Sequence, residues 1–178
     1  MKRVLMALVC LLFATALFAQ MPAPGPELKE LKPFAGNWTC KGELLTSPEY
    51  GPGHPEVATV KGSWTLGNFW MLVHFKETKT AKSPYPYDAM IYLSYDGELK
   101  KFIFGSLDNT GSYETAQADG WNADEMVFEG VNHSGSATMT ARDTFTKKGT
   151  NSLSHLFTIK DKDGSWRKIE EDHCTRAK

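Results

Sequence analysis

From Asp88 to Gly120 the chain reads DAMIYLSYDGELKKFIFGSLDNTGSYETAQADG, with short apolar stretches set between Asp96-Gly97, Asn109-Thr110-Gly111 and Asp119-Gly120. Ile91, Leu93 and Tyr95 fall two apart, the period of a strand with one buried face and not that of a helix. Each turn carries a glycine that can take positive φ. Three consecutive strands joined by tight turns are therefore expected.

The same pattern extends outward in both directions. Phe69, Met71, Val73 and Phe75 alternate upstream, and Asp161-Lys162-Asp163-Gly164 punctuates the chain downstream. Strands are expected near residues 36–45, 57–66, 69–79, 87–95, 100–107, 112–118, 125–131, 136–146, 152–160 and 165–176. Beyond the extreme N-terminus, no stretch of a dozen residues has a helical period, so a parallel sheet with long crossovers is excluded. Antiparallel strands without a second sheet relieve their edges by closing. The expected fold is all-β, an up-and-down antiparallel β-barrel of about ten strands with a short N-terminal helical turn at Glu27 to Leu31.

Lys2 and Arg3 precede an uncharged, mostly apolar run from Val4 to Phe18, and Ala19 ends it, the pattern of a secretory signal peptide over residues 1–19. Residues 20–27, which include QMPAPGP, read as an extended linker, and residues 28–178 as the barrel domain. The destination is then the periplasm or the exterior, with no integral membrane association once the leader is removed. Twenty Lys plus Arg against 21 Asp plus Glu leave a net charge of -1, which offers no basic stripe for nucleic acid. Neither heptads nor an apolar edge sets an oligomeric state. Cys10 lies in the expected leader, and the remaining pair, Cys40 and Cys174, is expected to form a disulfide, with two free thiols as the alternative.

The segment Leu31-Lys32-Pro33-Phe34-Ala35-Gly36-Asn37-Trp38, a turn followed by G-x-W, resembles the opening of lipocalin and calycin barrels. It is most similar to an exported bacterial lipocalin-like family classified only as a domain of unknown function. The Pro24 to Pro26 leader, the Gly- and Pro-rich loop from Ser47 to Pro55, and Gly62-Ser63-Trp64 with Leu66-Gly67 continue the resemblance. The resemblance implies a calycin-like barrel in which Gly36 turns the chain into the first strand. Trp38 then stacks on an arginine of the last strand. In a barrel with an even strand count, the first and last strands are antiparallel neighbours, and paired positions have a constant sum. If Cys40 faces Cys174, then Trp38 faces Arg176, and the barrel is closed twice on one strand pair.

Chemistry is less legible. The histidines beyond the leader, His54, His74, His133, His155 and His173, show no metal-ligand spacing, so no metal site is expected. His155 shares parity with Leu153, Phe157 and Ile159. Its place on a late strand is similar to that of the iron ligand in haem barrels of the nitrobindin type, which implies a haem-dependent alternative acting on reactive nitrogen or oxygen species. No G-x-S-x-G elbow is present. Asp88, Glu125, Glu129, Asp143, Glu170 and Asp172 supply carboxylates, but nothing selects a catalytic pair. No catalytic residue and no cofactor are assigned. The leading expectation is a non-enzymatic barrel holding a small apolar or amphipathic molecule, lined by Trp64, Phe75, Phe104, His155 and Phe157. It would be entered from the end opposite Trp38 and gated by the Ser47–Pro55 or the Lys79–Tyr87 loop. A filled barrel serving as a structural or interaction module of the envelope is the remaining alternative.

Overall fold

The computed structural model describes residues 23–177; the leader therefore lies outside the described residues. The strands are β1 (Gly36–Leu44), β2 (His54–Thr65), β3 (Trp70–Glu77), β4 (Asp88–Asp96), β5 (Lys101–Asp108), β6 (Tyr113–Ala118), β7 (Trp121–Asn122), β8 (Glu125–Ser134), β9 (Ala137–Lys147), β10 (Ser152–Lys160) and β11 (Trp166–Arg176). Ten are long, and β7 is a two-residue addition that pairs only with the start of β8. Every neighbouring pair is antiparallel, and the circle closes where β6 meets β8, from Tyr113 opposite His133 to Gln117 opposite Glu129. Closure leaves no long strand with an unpaired edge.

Alternation decides which residues face inward. On β6, Glu114, Ala116 and Ala118 are buried between exposed Tyr113, Thr115 and Gln117. On β8, Met126 and Phe128 are buried beside exposed Glu125, Val127 and Glu129. The Asp96 turn differs from expectation. Asp96 Oδ1 accepts bonds from the amides of Glu98 and Leu99, 2.9 Å each, and the positive φ falls on Lys100 instead of Gly97. The aspartate side chain does what the glycine was expected to do.

A 3-10 helix, Pro26–Phe34, closes one end of the barrel. It begins inside the segment expected as linker, because Pro26 occupies a first-turn position where its missing N–H costs nothing. Leu28, Leu31 and Phe34 are buried against Met71, Phe102, Phe104, Met126 and Phe128. Complete burial of a leucine such as Leu31 contributes about 1.5–3 kcal/mol. Phe34 also meets Phe145 edge-on at 5.0 Å, and Trp121 Nε1 donates to the Glu30 carbonyl at 2.8 Å, pinning the helix to β7.

The strand pair β1–β11 carries two closures. Cys40 lies opposite Cys174 and is bonded to it, and Trp38 lies opposite Arg176. The Arg176 guanidinium sits 4.1 Å over the Trp38 ring and donates to the Ala35 carbonyl at 2.7 Å. Gly36 permits this in two ways: its φ is +102°, and a Cβ there would collide with Arg176 Nη1.

Candidate functional site

The interior away from the plug is a cavity of about 490 Å³, opening among the β1–β2, β3–β4 and β5–β6 loops. Its walls change character along the barrel axis. On β3, Val73 and Phe75 lie toward the plug and Glu77 toward the mouth. On β2, Val60 gives way to Glu56 and His54; on β5, Phe104 to Ser106 and Asp108; on β9, Phe145 to Asp143. On β11, Cys174 gives way to Asp172 and Glu170. An apolar chamber thus underlies a belt of carboxylates. Eight carboxylates line the cavity (Glu49, Glu56, Glu77, Asp108, Glu114, Asp143, Glu170 and Asp172), with two imidazoles and, among the described residues, no Lys or Arg.

The belt is only partly satisfied by hydrogen bonds. Glu77, almost wholly buried, accepts from Ser83 Oγ at 2.9 Å and from the Tyr87 amide at 2.8 Å, and pairs with His54 Nε2 at 2.9 Å. This anchors the β3–β4 loop to the wall. Tyr50 from the β1–β2 loop reaches across the mouth, donating to Asn132 Oδ1 at 3.1 Å and packing edge-on against Phe157 at 5.7 Å. Asn132 Nδ2 in turn donates to Glu114 Oε2 at 2.9 Å. Glu114 Oε1, Asp143 Oδ2 and both oxygens of Asp172 are buried and accept from no N–H or hydroxyl group; Glu114 neighbours Asp143, and Asp172 neighbours Glu170, carboxyl to carboxyl.

His155 is the centre of the belt. Its Nε2 is 2.8 Å from Asp143 Oδ1, its Nδ1 is 3.7 Å from Glu170 Oε1, and its ring stacks on Phe145 at 4.7 Å. Burial lowers the imidazole pKa, but the Asp143 and Glu170 carboxylates outweigh that and hold it well above the ordinary histidine value. Burial raises Glu170, and the same imidazole reverses the sign and leaves it lowered. Burial, and then the charges of Glu170 and other neighbouring carboxylates, pushes Glu56 up to about 9 and Asp172 to about 8. Glu114 is pushed up to about 9 by burial and then by Asp143. The belt therefore combines carboxyl groups that hold protons at neutral pH with a charged imidazole, a set able to donate to and accept from a polar ligand or to bind a cation.

Of the residues expected to line a pocket, Phe75, Phe104, His155 and Phe157 do so. Trp64 does not. It has inward parity but lies at the plug end of β2, half-buried opposite Met71 and packed against the core beneath the helix. Trp38, Cys40 and Cys174 form part of the cavity floor. Among the carboxylates considered from sequence, Asp143, Glu170 and Asp172 converge, whereas Glu125 and Glu129 face outward and Asp88 pairs with His74 at 2.6 Å on the outer face. Glu56, Glu77 and Glu114 were not singled out. Their signal was parity, since each continues an inward series: Ala58 and Val60, Val73 and Phe75, Ala116 and Ala118. A haem fits poorly at His155. The ring nitrogen not bonded to Asp143 has Glu170 Oε1 at 3.7 Å, where a porphyrin plane would have to lie, and the surrounding carboxylates would repel anionic propionates.

A family description, "Protein of unknown function (DUF1579)", matches residues 23–176. No curated protein matches the chain. Among solved structures, Rv2717c from M. tuberculosis is 13% identical and superposes with a TM-score of 0.62, over 87% of this chain and 99% of that one. It shares the fold. A redesigned β-barrel is 11% identical with a TM-score of 0.39, over 88% of this chain and all 100% of its own. A DUF3598-family protein of unknown function from Nostoc punctiforme is 8% identical with a TM-score of 0.20, over 86% of this chain and 100% of its own.

Proposed function

The chain belongs to the DUF1579 family, and because that description assigns no activity, we propose from the cavity itself that the protein is an exported, lipocalin-like barrel that binds a small amphipathic molecule. The observation that carries the reading is the polarity gradient inside one cavity of about 490 Å³, a volume within the roughly 300–1,000 Å³ usual for small-molecule sites. The ligand's apolar body fits the chamber formed by Val60, Val73, Phe75, Ile91, Leu93 and Phe104. Its polar head fits the carboxylate belt, where a group that donates hydrogen bonds or carries positive charge is favoured over an anion. The cavity weighs against a filled structural barrel, and the environment of His155 weighs against an axial-ligand role. The Cys40–Cys174 bond fits an oxidising compartment, in keeping with the expected leader.

The test is native mass spectrometry of protein purified from a host that exports it, followed by displacement of an amphipathic fluorescent probe. A mass retained natively and lost on denaturation is expected. Phe75→Ala and Phe104→Ala should each weaken probe binding about tenfold, the effect of losing roughly 1.4 kcal/mol of contact. Bare protein together with probe affinity unchanged in both variants would sink the reading.

A further inference from the structure

The belt contains one group of side chains whose spacing suits a shared ion. His155 on β10 and Glu170 and Asp172 on β11 each bring a ligand atom into a cluster spanning no more than 4.8 Å. At 3.7 Å, His155 Nδ1 and Glu170 Oε1 are too far apart for a hydrogen bond. Two donors at about 2.0–2.2 Å from a shared ion have about this separation. The other ring nitrogen, Nε2, is already 2.8 Å from Asp143 Oδ1. A carboxylate holding the far side of an imidazole is the arrangement that fixes the tautomer and orientation of a metal-bound histidine.

Asp172 supplies the independent observation. It is 1% exposed, neither of its carboxylate oxygens receives a hydrogen bond from an N–H or hydroxyl group, and it lies beside the Glu170 carboxylate. It lies opposite Gly42 on β1, where a Cβ would collide with the Glu171 carbonyl and with Asp172 Oδ1, so the glycine leaves room both for the β11 backbone and for the carboxylate. Two acidic groups buried side by side, Asp172 and Glu170, are costly unless they share a proton or a cation satisfies both. No Lys or Arg among the described residues lines the cavity to do so.

We propose that His155 Nδ1, Glu170 and Asp172 bind one divalent transition-metal ion, zinc in the first instance, with Asp143 as the positioning residue behind the histidine. One imidazole and two carboxylates form the nitrogen and oxygen donor set that such ions take. Glu56, buried on β2, flanks Gly42 on the side opposite to Asp172 and is the candidate for a fourth ligand. The site stands at the boundary between cavity floor and mouth, where an ion would also present an open position to a ligand's polar head. The metal proposal goes beyond the amphipathic-ligand reading and does not require it.

The experiment is calorimetric titration of Zn²⁺ alone into the full protein after EDTA treatment, with Co²⁺ as a spectroscopic substitute. One Zn²⁺ per chain is expected, with Co²⁺ giving the visible absorption of a low-coordinate site. His155→Ala and Asp172→Asn should abolish both signals. Asp143→Asn, which touches no ligand atom of the ion, should weaken Zn²⁺ about 10–100-fold. Asp172→Asn is close to isosteric and relieves charge repulsion, so it tests the site in a folded barrel even if His155→Ala does not fold. The proposal is overturned if the wild-type protein takes up neither ion. It is equally overturned if stoichiometric binding survives in Asp172→Asn, which would place the ion on an outer pair such as His74 and Asp88. Because no organic ligand is present, failure here leaves the amphipathic-ligand reading untouched.

Discussion

Toward the plug, the barrel interior is Leu28, Leu31, Phe34, Met71, Phe102, Met126 and Phe128, packed against one another with little exposure. Toward the mouth, other strands of the same barrel present Glu56, Glu114, Asp143 and Asp172, equally buried, with several oxygens that accept from no N–H or hydroxyl group. The first half follows the rule that buried side chains should be apolar; the second departs from it on strand after strand. On the proposed reading, stability and function lie at opposite ends of one cylinder. The plug half and the β1–β11 strap offset the electrostatic cost of the belt, as expected where a site departs from the packing rules.

The strap is the place to break that division most forcefully. Cys40 and Cys174 lie between Trp38 and Arg176 on the plug side and Gly42 and Asp172 on the mouth side, and their bond closes a sequence separation of 134 residues. Replacing both cysteines with serine should cost about 4–5 kcal/mol through the added entropy of the unfolded chain, a large share of the roughly 5–15 kcal/mol total of an ordinary domain. Urea unfolding at fixed pH measures it, as a lower midpoint. A loss below about 1 kcal/mol would mean that the plug half alone holds the mouth closed around its charges.

Acidity sharpens the comparison, since the buried carboxyl groups among the described residues lie in the mouth half. Glu56 and Glu114 are pushed up to about 9 and Asp172 to about 8, each first by burial. Their native pKa values exceed the unfolded ones, so above about pH 4.5 the native state binds more protons than the unfolded chain, and stability falls as pH rises toward about 9. Each group contributes a slope of at most about 1.4 kcal/mol per pH unit. His155 has the same sign: its stabilisation is complete below about pH 6.5 and is lost as pH rises through its raised value. Glu170, with a lowered pKa, acts the other way, but only as pH falls below about 4.5. EDTA-treated protein should therefore unfold at lower urea at about pH 9 than at about pH 5. A midpoint that is flat or rises with pH would show that the carboxylates are not held protonated by burial.

The plug half was far more legible in the sequence than the belt. Period-two alternation and Gly turns led to the antiparallel barrel, and the constant-sum relation placed Trp38 opposite Arg176 once Cys40 was set opposite Cys174. Those rules depend only on local geometry and strand count. Parity also brought Phe75, Phe104, His155 and Phe157 to the cavity, but parity has no axial coordinate, and Trp64 ended under the plug for that reason. The belt was hidden twice over. Its carboxylates come from β2, β3, β5, β6, β9 and β11, so no local spacing connects them. A register shift between Phe157 and Thr158 moreover brings Glu170 and Ile169, consecutive residues of β11, both to the cavity wall. Alternation forbids that arrangement, and only the folded register reveals it.

The smallest expected effect separates the two halves most cleanly. In the plug half, any shortening of a buried side chain destabilises, because a cavity replaces a packed group. At Asp172 a nearly isosteric change should do the reverse. Asparagine removes a charge from beside Glu170 and Glu56, and its volume fits the space opposite Gly42. In metal-free protein at about pH 9, Asp172→Asn should raise stability by about 1–2 kcal/mol, and the gain should shrink as pH falls and the native aspartate takes up its proton. Added Zn²⁺ should reverse the ranking, stabilising the wild type through mass action and leaving the variant where it was. A variant less stable than wild type at every pH, with or without the ion, would mean that Asp172 is a structural part of the wall, and that the belt is governed by the same packing rule as the plug.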